Sequence, residues 1–145
     1  MTQTSEVLAY AAAIIDGEGC IGIYTHGHSI ALSVQATNTD VRLVDWFKQH
    51  FGDCTIECHI KKKLSICFVW KLYGSKAKNF LLLIKPYLVL KAEQADIAIE
   101  FQQYKENVFL GVGIRRSTEA STMELEYSKK LKSAKVDGIF AGRVA

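Results

Sequence analysis

The chain of 145 residues has one proline, Pro86, and no low-complexity stretch before its last third, so no linker divides it. Its length suits a single domain, over residues 1–145, large enough to bury a core. Long apolar runs are missing as well. Phe80–Ile84 is short and flanked by charge, far from the ~20 residues that cross a bilayer, so no membrane partner is expected. Residues 1–10 carry no basic n-region, so no secretory signal is read and an intracellular place, organelle or microbial, is expected. Patterned cysteines are absent. Cys20, Cys54, Cys58 and Cys67 match neither a disulfide framework nor zinc-ligand spacing, and reduced thiols are expected over bridges. A zinc site combining them with His26, His28 or His59 stays open on composition. A large excess of one charge is also lacking: a net charge of +3 does not establish a polyanionic partner. The lysines are nevertheless concentrated at Lys61-Lys62-Lys63 and along Lys129–Lys135, and the second group reads best as solvated surface.

Against these absences stands a clear order of elements. Val7–Ile15 reads as a helix, and Cys20–Tyr24 and Ser29–Thr37 as strands joined by Thr25-His26-Gly27-His28. Val41–Phe51 reads as a helix capped by Asp40 or Thr39 and stopped by Gly52. Cys54–Ile60 and Leu64–Tyr73 form a second hairpin across the three lysines. Ser75 is placed to cap a helix over Lys76–Ile84, which Lys85-Pro86 ends, and a longer helix runs from about Lys91 to Tyr104. The fold class is therefore α+β, an antiparallel sheet covered by helices on one face.

Strand alternation divides the sheet residues. Ile21, Ile23, Ile30, Leu32, Val34 and Ala36 point inward, with Cys54, Ile56, Cys58, Ile60, Ile66, Phe68, Trp70 and Leu72. The outer face is assigned Tyr24, His26, His28, Ser29, Ser33, Gln35 and Thr37, then Thr55, Glu57, His59, Lys61, Ser65, Cys67 and Lys71. Hydroxyls, an amide, imidazoles and lysines on one face suit direct readout in a major groove, which admits a β-ribbon. A solvated antiparallel face produces the same alternation. The lysine turn at one end and acids at the other favour double-stranded DNA.

Those acids lie in Ala11-Ala12-Ala13-Ile14-Ile15-Asp16-Gly17-Glu18-Gly19, which runs into an apolar strand. Small residues let a second helix come close. The carboxylates fall where a helix ends, at the negative pole of its dipole, where they are locally unfavourable and a cation would offset them. Two such helices side by side would pair two acids around a divalent metal. Gly17 and Gly19 are expected to let the backbone turn sharply.

The segment, AAAIIDGEG, resembles the signature of the LAGLIDADG homing endonucleases, departing from it at Ala11 (family Leu), Ala13 (usually Gly) and Glu18 (usually Asp). A second likeness lies in Lys85-Pro86-Tyr87-Leu88-Val89-Leu90-Lys91-Ala92-Glu93-Gln94-Ala95, which is similar to the family's PyLxxKxxQA element. The resemblance covers roughly residues 7–105 and implies the αββαββα LAGLIDADG fold with a DNA-binding sheet.

It implies Glu18 and the Gly17 carbonyl as Mg²⁺ ligands, with Mn²⁺ or Ca²⁺ substituting in binding, Lys91 beside the scissile phosphate, and Asn38 ordering water near the nucleophile. For Lys91 the plain alternative is a first-turn surface lysine; for Asn38 it is an Asx turn or helix cap. Asp16 reads as structural, at the helix end or a symmetric interface, and Ala12, Ala13 and Asp16 are assigned to that interface. The motif occurs once, so the chain supplies half of a symmetric site. The expected activity is that of a homodimeric DNA endonuclease, a phosphodiester hydrolase that makes a metal-dependent double-strand break with short 3′ overhangs in a long pseudo-palindromic site, as in intron homing. The alternative on the same scaffold is a non-cleaving maturase that binds intron RNA, or a DNA-binding regulator. An unrelated α+β domain that binds a protein through its sheet ranks last.

Overall fold

The computed structural model describes residues 2–27, 29–52, 55–59, 66–108 and 118–141, without the side chains of His26 or of residues 55–59, 118–120 and 136–141. Helix α1 (Ser5–Glu18) leads into strands β1 (Gly19–His26) and β2 (Ser29–Asn38), and α2 (Val41–Phe51) into β3 (Thr55–His59) and β4 (Ile66–Tyr73). Then come α3 (Gly74–Ile84), a 3₁₀ turn (Lys85–Tyr87), α4 (Ala92–Asn107) and α5 (Thr118–Ala141). The strands form one antiparallel sheet in the order β1-β2-β4-β3. This is the expected α+β order, extended by α5.

The local reasons are mostly those of the sequence. Thr4 caps α1 by accepting the Val7 N–H. Asp40 caps α2 by accepting the Arg42 N–H at 3.0 Å, and Gly52 ends it with φ of 74°, a left-handed conformation that suits glycine. Lys48 and His50 complement the dipole in the last turn of α2. Ser75 does not cap α3: its hydroxyl donates instead to Glu106 of α4 at 2.6 Å, and Lys78 pairs with the same carboxylate. Neither glycine in the acidic segment makes a sharp turn. Gly17 is helical and Gly19 is extended, with φ −91° and ψ 171°. Gly19 is needed for another reason, since a Cβ there would lie 2.6 Å from the Ile15 Cα.

The inner face of the sheet carries the core. Ile21, Leu32, Val34, Ala36 and Trp70 are fully buried beneath Ile15, Val44, Phe47, Leu81 and Phe101. Phe47, Phe51, Trp70 and Phe80 pack ring to ring, with centroids 4.6 Å apart for Phe47–Trp70 and 4.8 Å for Phe51–Phe80. The Trp70 indole donates to the Gly52 carbonyl at 2.8 Å, so its one polar atom is buried satisfied.

The Lys129–Lys135 group reads from the sequence as solvated surface, but the helix that carries it packs on the core. Leu131 and Ala134 are buried, and Tyr127 lies 5.9 Å, centroid to centroid, from both Phe101 and Tyr104. Ser128 donates to the Ile23 carbonyl and Lys135 to the Cys20 thiol, at 3.1 and 3.6 Å. Seven helical residues rise about 10.5 Å, close to the roughly 10 Å spanned by three strand residues. α5 therefore runs antiparallel along β1, covering an edge that would otherwise offer open hydrogen-bonding groups.

Candidate nucleic-acid interface and active site

α1 divides its small residues between two faces. Ala11, Ala12 and Ile15 face the core with no exposed surface, while Ala9, Tyr10, Ala13, Gly17 and Glu18 face out. Ala12 was expected at a helix-pairing surface; it is buried within its own chain, on the side of the helix that carries Ala11 and Ile15. Ala9, Ala13 and Gly17, each four residues from the next, form the outward stripe instead, and a Cβ on Gly17 would meet nothing within 4 Å.

Glu18 is the last residue of α1, and it is exposed. Its carboxylate accepts from the Asn38 amide at 2.7 Å, while the Asn38 carbonyl oxygen accepts the Asp40 N–H at 2.8 Å. A carboxylate only accepts and an N–H only donates, so the amide has one workable orientation. Asn38 thus makes the Asx turn and holds the acid at once. Next to it Arg42 forks onto Asp40, with Nη2 2.6 Å from Oδ2, and holds that carboxyl down to about pKa 2. A cleft of about 500 Å³ is lined by Tyr10, Ile14 and Glu18 of α1, spaced four residues apart along one side of that helix, and by Asn38, Asp40, Arg42, Leu43 and Trp46. Sequence reasoning missed Arg42 at this cleft. The signal available was its place just inside the cap of α2, two residues beyond an aspartate.

On the other side of the α1 terminus, Asp16 and Lys91 clasp two segments together. The Asp16 carboxylate accepts the backbone N–H groups of Val89, Leu90 and Lys91 at 2.7–3.2 Å. Lys91 replies with its ammonium, donating to the carbonyls of Ile15 (2.6 Å), Asp16 (3.1 Å) and Gly19 (2.7 Å). These are helix-end carbonyls with few partners of their own, so Lys91 caps α1. Burial pushes its pKa below the usual lysine range and Lys135 adds to this, against the opposite pull of Cys20 and Asp16. Lys91 takes the Ile15, Asp16 and Gly19 carbonyls and not that of Gly17. The Gly17 carbonyl and the Glu18 carboxylate, hard oxygens at the negative pole of a helix, are the donor chemistry that a magnesium-like cation prefers. They are too few to fill its shell from one chain.

On the outer face of the sheet, the register aligns Cys20, Gln35 and Lys71 in one row and Gly22, Ser33 and Tyr73 in the next. Ser29 and Tyr24 are exposed, while Gln35, Thr37, Cys67 and Lys71 are half-buried. Ser33 is on this face but only 2% exposed. It pairs with Gly22, over which the Tyr24 ring lies so closely that a Cβ would meet it at 2.0 Å, and with Tyr73. Val69, also in an outward row, is buried.

The third strand departs from expectation by one residue. Thr55, Glu57 and His59 are in register with Trp70, Phe68 and Ile66 of the inward row, while Ile56 and Cys58 oppose Val69 and Cys67. A one-residue slip exchanges the two faces of a strand, so the backbone assigns Thr55, Glu57 and His59 to the face opposite the expected one. Ile66, expected inside, is 43% exposed at the strand end. His28, Lys61, Ser65 and Cys54 lie outside the described residues, as does the His26 side chain. Among the described residues no group of three His, Cys, Asp or Glu side chains gathers as a metal site, and no helix is long and apolar enough to cross a membrane.

No family model matches the sequence, and no curated protein matches it either. Solved structures do. I-CvuI, a homing endonuclease in complex with DNA, superposes with a TM-score of 0.58 at 18% identity, over 86% of this chain and 94% of its own. The archaeal intron-encoded homing endonuclease I-Vdi141I, complexed with DNA, gives 0.69 at 14%, over 88% and 82%. The meganuclease I-SmaMI, bound to uncleavable DNA, gives 0.61 at 13%, over 87% of this chain but 43% of its own. The chain has the LAGLIDADG homing-endonuclease fold.

Proposed function

We propose that this protein is a LAGLIDADG homing endonuclease, a metal-dependent enzyme that works as a homodimer and cuts both strands of a long pseudo-palindromic DNA site, leaving short 3′ overhangs. The observation that carries this reading is Glu18, an exposed carboxylate at the end of a helix, aimed by Asn38, at the border of an open polar sheet face. Such a carboxylate contributes nothing to the core. The length relation supports a pair of copies: one chain matches nearly all of I-CvuI and under half of I-SmaMI, both solved with DNA. The stripe of Ala9, Ala13 and Gly17 supplies a surface on which a second α1 can come close.

Each protomer then contributes one Glu18 and one Gly17 carbonyl, and pairing brings the oxygens together. A divalent metal, when bound, supplies an activated water and neutralises the phosphate and leaving oxygen. The chain's own residues do the positioning. Asn38 fixes the carboxylate, and Asp16 and Lys91 fix the helix end that carries it. Gln35, Thr37 and Lys71 lie against the major groove.

The second reading, a binding protein for intron RNA or DNA without cleavage, is favoured by one feature. The Lys91 ammonium, which the resemblance puts beside the scissile phosphate, is occupied by three carbonyls. Both readings meet in one experiment, incubation of the protein with randomised duplex DNA and Mg²⁺ followed by sequencing of the ends. Paired short 3′ overhangs at one pseudo-palindromic sequence, lost in Glu18→Gln while binding persists, support the endonuclease. Salt-sensitive binding without cleavage in either protein supports the second reading.

A further inference from the structure

Three cations stand near the end of α1, and they differ in what already holds them. Arg42 is neutralised by Asp40 through two side-chain nitrogens, Nε and Nη2. Lys91 has three N–H donors and three carbonyl acceptors, which uses its hydrogen-bonding capacity in full. Lys135 has the Cys20 sulfur at 3.6 Å, a weak acceptor, and no ion pair with any described residue. It is half-buried on α5, which the Ser128 bond to Ile23 holds in place along β1.

We infer that Lys135, delivered by α5 to the start of β1, is the cation that binds a backbone phosphate of the nucleic acid at this site, and that Lys91 is a positioning residue for the end of α1. The inference rests on the nucleic-acid reading above and names the residue that reading lacked.

The position fits the ligand. Cys20, under Lys135, begins the outward row that continues through Gln35 to Lys71. Two strand spacings separate the ends of that row, about 10 Å, against a major groove about 12 Å wide. A cation stands at each end of the row and a carboxamide at its middle, so a phosphate on either bank would be met while Gln35 faces the base edges. Lys71 is steadied by the Tyr73 ring, 5.1 Å from its ammonium. The thiol and the Tyr24 hydroxyl, 3.3 Å apart, floor the Lys135 end without a fixed negative charge to compete with a phosphate.

The test uses the full chain and a fluorescein-labelled duplex of randomised sequence, with anisotropy read across a salt series. Wild-type affinity should fall steeply with salt. Lys135→Gln should flatten the slope of log affinity against log salt by about 0.9, one phosphate contact, and Lys135→Arg should restore it. Lys91→Gln should keep the wild-type slope but unfold at a lower temperature. An unchanged slope in Lys135→Gln, with wild-type circular dichroism, overturns the inference. So does a Lys91→Gln protein of unchanged melting temperature and flattened slope. Wild-type protein without salt-dependent binding sinks the nucleic-acid reading itself, and the wild-type arm shows which of the two has failed.

Discussion

Asp16 precedes the motif's second acid by two positions, and the sequence places both at the same helix end. Their surroundings separate their work. Asp16 spends its carboxylate on three backbone N–H groups of the segment before α4, while Glu18 keeps an exposed carboxylate oriented by one amide. Asp16→Ala should cost about 1–2 kcal/mol, since three N–H groups lose a charged acceptor but two belong to exposed residues that water can reach; urea unfolding measures this. Tyr24 gives a second, pH-dependent prediction. Its hydrogen bond with Cys20, and then the partial desolvation of a ring that stays 46% exposed, raise its pKa to about 12. A folded-state value above the unfolded one, about 10, means stability is fully present below pH 10 and lost as pH rises toward 12. Tyrosinate absorbance should show one phenol titrating near 12, and Tyr24→Phe should remove both that step and its share of the alkaline loss. The general role of Asp16 was legible from its type and place. The capping role of Lys91 was not, because the carbonyls it reaches lie more than seventy positions away in sequence.

At the scale of elements, helices with their own caps and periodicity were readable. α2 begins at Asp40 and ends at Gly52 as expected because both signals are local. Strand β3 was misread because alternation in a short segment does not say which set faces inward; pairing with β4 decides that. α5 was missed because its buried positions, Glu124, Leu131 and Ala134, are widely spaced among charged residues. The two faces of α1 give a paired prediction. Ala12→Leu inserts three carbons into a filled core and should destabilise the protein by about 1–3 kcal/mol. Ala13→Glu, at an exposed position, should leave the monomer's circular dichroism unchanged, shift sedimentation toward the monomer, and abolish double-strand cutting. A dimer that survives Ala13→Glu would place the pairing surface elsewhere.

For the whole molecule, the architecture concentrates rigidity on one side and accessibility on the other. The aromatic packing of Phe47, Phe51, Trp70 and Phe80 lies beneath the sheet, and the cleft beside Glu18 opens at its margin. The two tryptophans of the chain fall one in each region. Trp70 is sealed in the core, whereas Trp46 lines the cleft, with Tyr10 packed edge-on 4.7 Å away. The protein therefore carries two intrinsic fluorophores with different audiences. Emission from Trp70 tracks whether the fold is intact; emission from Trp46 is open to quenching by whatever enters beside the carboxylate. Trp46→Phe leaves a clean folding signal, and the difference spectrum against wild type isolates a native optical probe of cleft occupancy, with no label attached.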